Sequence, residues 1–202
     1  MLGVRTKLKY SPTFFKEDII MAQLTAGTWN LDNSHSEVNF IVRHAGISKV
    51  RGSFNTVSGT AVVGENFSDA KIDVTIDLAS INTRDENRDG HLKSADFFDV
   101  ENHPHMTFVS TEIKDVDGDE FTLVGDLQIL GNTRQVELKG EFGGETVDPF
   151  GMTRAGFEAK GEISRKEFGL TWNAALETGG VLVGDKVKIE IDASFVLSSD
   201  DA

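Results

Sequence analysis

Apolar and polar residues alternate strictly along several stretches of this chain. Ile72, Val74, Ile76 and Leu78 are interleaved with Lys71, Asp73, Thr75 and Asp77. Val187, Ile189, Ile191, Ala193 and Phe195 are interleaved with Lys188, Glu190, Asp192 and Ser194. A repeat of two marks strands with one dry face and one wet face. The pattern predicts strands over 27–31, 36–44, a pair over 49–55 and 56–63, then 70–81, 105–113, 121–129, 136–142, 153–163 and 185–197. Hairpin chemistry falls between them at D115-V-D-G-D-E120 and I129-L-G-N-T-R-Q-V136. One charged interruption, R84-D-E-N-R-D-G-H-L-K-S-A-D-F-F98, places Leu92, Ala95 and Phe98 at helical spacing and is expected to form a short cap. Residues 164–173 read as an irregular corner and 174–184 as a glycine-rich mobile loop. About eight or nine strands at this spacing predict an all-β domain. A barrel is preferred to a sandwich because closure removes edges that this chain has little proline to protect.

Composition sharpens that expectation. The 202 residues suit one domain, taken here as 21–198, followed by a polar tail at 199–202. Phe occurs 14 times and Tyr once, so the aromatic content is almost wholly without a polar tip, as dry interior walls require. The net charge of −13 opposes nucleic acid and anionic bilayers, and no basic stripe with interleaved aromatics offsets it for nucleic acid. Without cysteine there are no disulfides, thiolate metal sites or Cys nucleophiles. No apolar run approaches the length of a membrane-spanning helix. Residues 1–20 differ in carrying Arg5, Lys7, Lys9 and Lys16 against Glu17 and Asp18. They are expected to be a disordered extension, with Met21 as the natural start. No signal-peptide pattern is recognisable, so the expected location is cytoplasmic.

Candidate chemistry is sparse. The five histidines lie between 35 and 105 without an H-E-x-x-H or other metal spacing, so no metal site is expected. There is no G-x-S-x-G elbow, G-x-G-x-x-G turn or Walker loop. His44 shares a strand face with Val38, Phe40 and Val42, where it meets either a backbone group or a ligand's polar end. Arg84, Arg88, His91 and Lys93 concentrate positive charge in the interrupting segment. They either pair with Asp85, Asp89 or Asp96, or hold an anionic head group at a barrel mouth.

The ordered pieces W29-N-L-D-N-S-H-S36, V38-N-F-I-V-R-H44, G52-S-F54, I81-N-T-R84 and R88-D-G-H-L-K-S-A-D-F-F-D99 resemble the YceI-like family of bacterial polyisoprenoid-binding proteins. T107-F-V-S110, V124-G-D-L-Q-I-L-G-N-T-R134, I163-S-R-K-E-F-G169 and V183-G-D-K-V-K-I-E-I191 continue the match across residues 27–197. The resemblance implies an extended antiparallel lipocalin-like β-barrel of about eight strands, with a short helical segment near residues 84–98. It also implies an apolar tunnel for a polyisoprenoid, an isoprenoid quinone or a similar long-chain lipid. N102-H-P-H105 departs from the family, which often has an aromatic at the position of His103. Many relatives carry a secretory signal, so a periplasmic location is the alternative.

The expected function is binding, storage or transport of an apolar lipid by a non-enzyme without a further cofactor, and a homodimer is compatible with this. Candidate tunnel residues are Val38, Phe40, Val42, Phe54, Ile72, Val74, Ile76, Phe108, Phe121, Leu123, Leu127, Phe142 and Phe157. Candidate head-group residues are His44, Arg84, Arg88 and His91. The rivals are an enzyme on isoprenoid or quinone lipids with a histidine base, and a ligand-free stress or interaction protein with a filled barrel.

Overall fold

Strands with one apolar face must curl or stack to bury it, and here they curl. The computed structural model describes residues 24–199. Its strands are β1 (Gly27–Leu31), β2 (Glu37–His44), β3 (Ser48–Phe54), β4 (Val57–Val63), β5 (Lys71–Asp77) and β6 (Ile81–Asn82). They continue as β7 (His105–Asp117), β8 (Glu120–Ile129), β9 (Asn132–Val147), β10 (Thr153–Ser164) and β11 (Val183–Leu197). Every pairing is antiparallel. The order β1-β4-β5-β7-β8-β9-β10-β11 returns to β1, an eight-stranded closed barrel. Among the described residues one α-helix, α1 (Glu86–Lys93), follows β6, and the Asp85 carboxylate caps it by accepting from the Arg88 N–H.

The long strand β11 serves two neighbours in turn. Its first part, Val183 to Asp192, pairs with β2, and its end, Phe195 to Leu197, pairs with β1. Between them the chain turns through a single 3-10 turn at Asn33–His35, capped by Asp32. The hairpin β2–β3 therefore extends the wall beyond the ring, with β6 paired to its far edge at Ser53 and Phe54. Bulges at Ser110/Glu112 of β7 and Gly156/Phe157 of β10 bend the long strands around the barrel. The inward faces form one continuous apolar core.

The structure alters several boundaries. The strand expected over 70–81 stops at Asp77, whose carboxylate accepts from the Ala79 N–H at 2.8 Å and starts a 3-10 turn over Leu78–Ser80. Leu78 leaves the alternation and is fully buried. The two strands expected over 49–55 and 56–63 form as β3 and β4, but they are not partners: β3 joins β2 and β6, whereas β4 joins β1 and β5. The strand expected over 136–142 grows to sixteen residues, because the Leu130–Gly131 turn, with φ of 51° and 72°, brings Ile129 opposite Asn132. Only 86–93 of the expected 84–98 cap is α-helical. The expectation for residues 1–20 lies outside the described residues, as do residues 200–202 of the tail.

Candidate functional site

The barrel encloses a lumen of about 250 Å³. Its wall presents carbon almost throughout; Asn39, Glu158 and Arg165 are the polar residues along it. The two ends differ. At the β1 end, Phe67 packs edge-on to Phe121 at 5.1 Å and parallel to Phe157 at 6.2 Å, and Phe157 meets Phe195 at 6.0 Å. Trp29 is buried beside them and donates its indole N–H to the Thr25 carbonyl at 2.9 Å. This aromatic layer is a floor. Toward the β2–β3 end, the lining residues Val42, Val183, Val187, Leu92 and Phe98 are only half-buried. Opposite the aromatic floor, we take that end as the mouth.

Most of the wall comes from inward positions of the strands, as alternation dictates. Val38, Phe40, Val42, Phe54, Ile72, Val74, Ile76, Phe108, Phe121, Leu123, Leu127 and Phe157 all line the lumen. Phe142 does not. It is buried, but it packs on Phe157 at 5.1 Å and lies outside the lining. Alternation assigns a face and says nothing of how far a side chain stands from the void.

The polar candidates lie outside the lumen lining as well. His44 ends β2 opposite Val183 and Ser48 and is past the rim. Arg84 is exposed at a positive φ of 64° beside a shallow polar hollow with Asp85, Glu86 and Asp89. Arg88 is engaged in holding its own loop: Nε donates to Thr83 Oγ1 and Nη2 to the Thr83 carbonyl, both at 2.7 Å. Asp89 accepts from the Thr83 backbone N–H at 2.8 Å, so Thr83 is clamped between the two charges. His91 stands edge-on to Trp172 at 4.6 Å and to Phe97 at 5.1 Å, with Nε2 2.9 Å from Asp96. These four are not gathered into one head-group site. Among the described residues, no three metal-ligating side chains converge.

Besides the floor residues Phe67 and Trp29, three further contributions are absent from the sequence reading. Val187, Ile189, Ile191, Ala193 and Phe195 of β11 line the lumen, and their alternation is plain in the chain. Leu92, Phe97 and Phe98 close over the mouth from α1 and the turn after it, where Phe98 meets Phe54 at 6.0 Å. Arg165 is the third. It is 3 % exposed, and its guanidinium donates to the carbonyls of Gly184, Leu170 and Val183. Burial pulls its pKa below the ordinary arginine value, while Asp185 opposes that shift. Its stem lines the lumen while its charge ties the 170–184 segment to the barrel. No local pattern marks such a residue.

Known proteins share this architecture. The model of the YceI-like domain matches residues 29–195. A UPF0312 protein of Staphylococcus aureus (strain USA300) is 40 % identical over 173 residues, covering 84 % of this chain and 98 % of its own. The Campylobacter jejuni YCEI protein structure superposes with a TM-score of 0.67 at 29 % identity, over 78 % of this chain and 90 % of its own. A polyisoprenoid binding domain from Saccharophagus degradans superposes with a TM-score of 0.65 at 14 % identity, over 84 % of this chain and 98 % of its own. Closed barrel, ordered motifs and matched length agree, and the chain belongs to the YceI-like family.

Proposed function

We propose that this protein binds and carries a long-chain apolar lipid, such as a polyisoprenoid or an isoprenoid quinone, in its lumen. The observation that carries the reading is the lumen itself, a void of about 250 Å³ walled almost wholly by carbon. A hydrocarbon chain entering it gains about 0.8 kcal/mol per methylene removed from water. Because the wall presents carbon almost throughout, the ligand's polar end stays at the mouth. The polyisoprenoid-binding neighbour supports the same class of ligand. An unfilled lumen speaks against a barrel packed with its own side chains. The histidines at the mouth end, His44 and His91, lie outside the lining, which gives a histidine-based enzyme no reacting centre inside.

Native mass spectrometry of freshly purified protein, with organic extraction of what is bound, tests the reading. The expected result is a discrete added mass that extracts unchanged as an isoprenoid or quinone lipid. A clean apo mass that persists after incubation with such lipids overturns it.

A further inference from the structure

The rim of the mouth has its own electrostatic pattern. From Val38 to Gly64 the chain carries Arg43, Lys49 and Arg51 and no Asp or Glu, in a protein of net charge −13. Arg43 pairs across the hairpin with Lys49, and Arg51 with Ile41, so the three cations share the outer face while Val42 and Val50 take the inner one. All three are exposed, and among the described residues none has an ion-pair partner. At the tip of the same hairpin Ile47 is 86 % exposed. Beside it runs the 174–184 segment, joined by the Ala45 N–H donating to the Leu182 carbonyl at 2.7 Å, with Val181 also exposed.

An exposed branched side chain flanked by unpaired cations suits a surface that is apolar beneath and anionic above. We propose that the β2–β3 hairpin docks on an anionic lipid surface and sets the mouth over it for lipid exchange. The proposal rests on the lipid-carrying reading above. The other charges of the rim fix which side faces the surface. Over residues 84–101 the α1 side carries six carboxylates against three cations, so it turns away. Asp185 is occupied by Ser164 and the Lys166 N–H, Lys186 lies 3.8 Å from Glu162, and Glu177 is the remaining acid of the 174–184 segment. The acid-rich β7–β8 hairpin is at the floor end. The fifteen residues of β11 span roughly 50 Å at about 3.3 Å each. With a screening length of about 8 Å at physiological salt, those distant carboxylates do not oppose docking.

The test is flotation of the full chain with vesicles of phosphatidylcholine alone and of equimolar phosphatidylcholine and phosphatidylglycerol. The expected result is flotation with the anionic vesicles only, reversed by added salt. One basic residue near such a surface is worth about fivefold in partitioning. Lys49→Glu with Arg51→Glu therefore lowers partitioning by at least about 25-fold. Ile47→Ser lowers it about fivefold through lost apolar contact. All three positions are exposed, and unchanged thermal unfolding verifies the folds. Equal flotation with both vesicles, none with either, or unchanged flotation of the double variant overturns the proposal. Lipid content of the same preparations by native mass spectrometry is read separately. A loaded protein that does not float fails as a docking surface and stands as a carrier; a floating protein that never loads fails as a carrier.

Discussion

Phe121 lies over Gly140 of the neighbouring strand, so closely that a Cβ at residue 140 would stand 2.4 Å from its ring. Phe40 over Gly52 and Phe108 over Gly125 repeat the arrangement, each with 2.3 Å to the missing Cβ. The glycines leave space against the wall, and the rings take it instead of the lumen. Gly140→Ala is expected to push Phe121 inward, costing about 1–3 kcal/mol by overpacking. At Gly52, nearer the mouth, the same change is expected to reduce lipid loading more than stability. Thermal unfolding and lipid stoichiometry by native mass spectrometry check both. Full loading in Gly52→Ala would show that Phe40 has another place to go.

Val74 lies mid-wall on β5, half-buried and facing the void. Val74→Trp is expected to fill the lumen with an indole and lower lipid uptake by at least tenfold. Because the ring enters unfilled space, the unfolding temperature is expected to stay within a few degrees of the parent. Uptake measured with a fluorescent long-chain lipid decides the matter: unaltered uptake removes Val74 from the path of the ligand.

The wall was legible in the sequence because a period of two is a local property. Val38, Phe40 and Val42 needed only their own strand to be assigned a face. Depth and closure are not local. Phe142 has the same alternation as its neighbours yet ends behind Phe157, and His44 continues the face of Val42 but passes the rim. Closure depends on Trp29 meeting Leu197, near opposite ends of the described chain, which no window of residues reveals. Arg88 illustrates a third kind of miss. Its positive charge suggested a head-group partner, but Thr83, five residues earlier, turns back under it and takes its donors.

Arg165 is expected to be the costliest single polar side chain to remove. Arg165→Met leaves the carbonyls of Leu170, Val183 and Gly184 without their donor in a buried place. An unsatisfied buried acceptor costs about 1–3 kcal/mol, and the three can relax together. A loss of about 3 kcal/mol is therefore expected. Hydrogen exchange should accelerate first in residues 173–184, which this side chain anchors. Uniform acceleration across the barrel would instead mean that Arg165 supports the whole sheet.

Arg154 joins two parts of the floor end by donating to Asp32 at 2.6 Å and Asp148 at 2.7 Å. Asp148 in turn accepts from the N–H groups of Phe150 and Met152, so this ion triad shapes the β9–β10 tip and ties it to the β1–β2 corner. The Ser34 hydrogen bond, then Arg154 and His35, hold Asp32 well below the usual carboxylate range, and Arg154 foremost lowers Asp148. A carboxylate with a depressed folded-state pKa stabilises the fold above its unfolded pKa of about 4. As pH falls from there toward the lower folded value, the unfolded chain binds protons first and the contribution is lost. Stability of the parent is thus expected to decline steeply below about pH 4. In Arg154→Gln, Asp148 loses the main cause of its shift, while Asp32 rises in part because Ser34 and His35 still hold it. That variant is expected to unfold at a lower temperature at neutral pH and to show a shallower decline in acid, so the two curves draw together as pH falls below the ordinary carboxylate range of about 4. Thermal unfolding of both proteins across that range reads the difference directly. Parallel curves, offset equally at every pH, would show that Arg154 acts through packing and that its charge is not what the two aspartates feel.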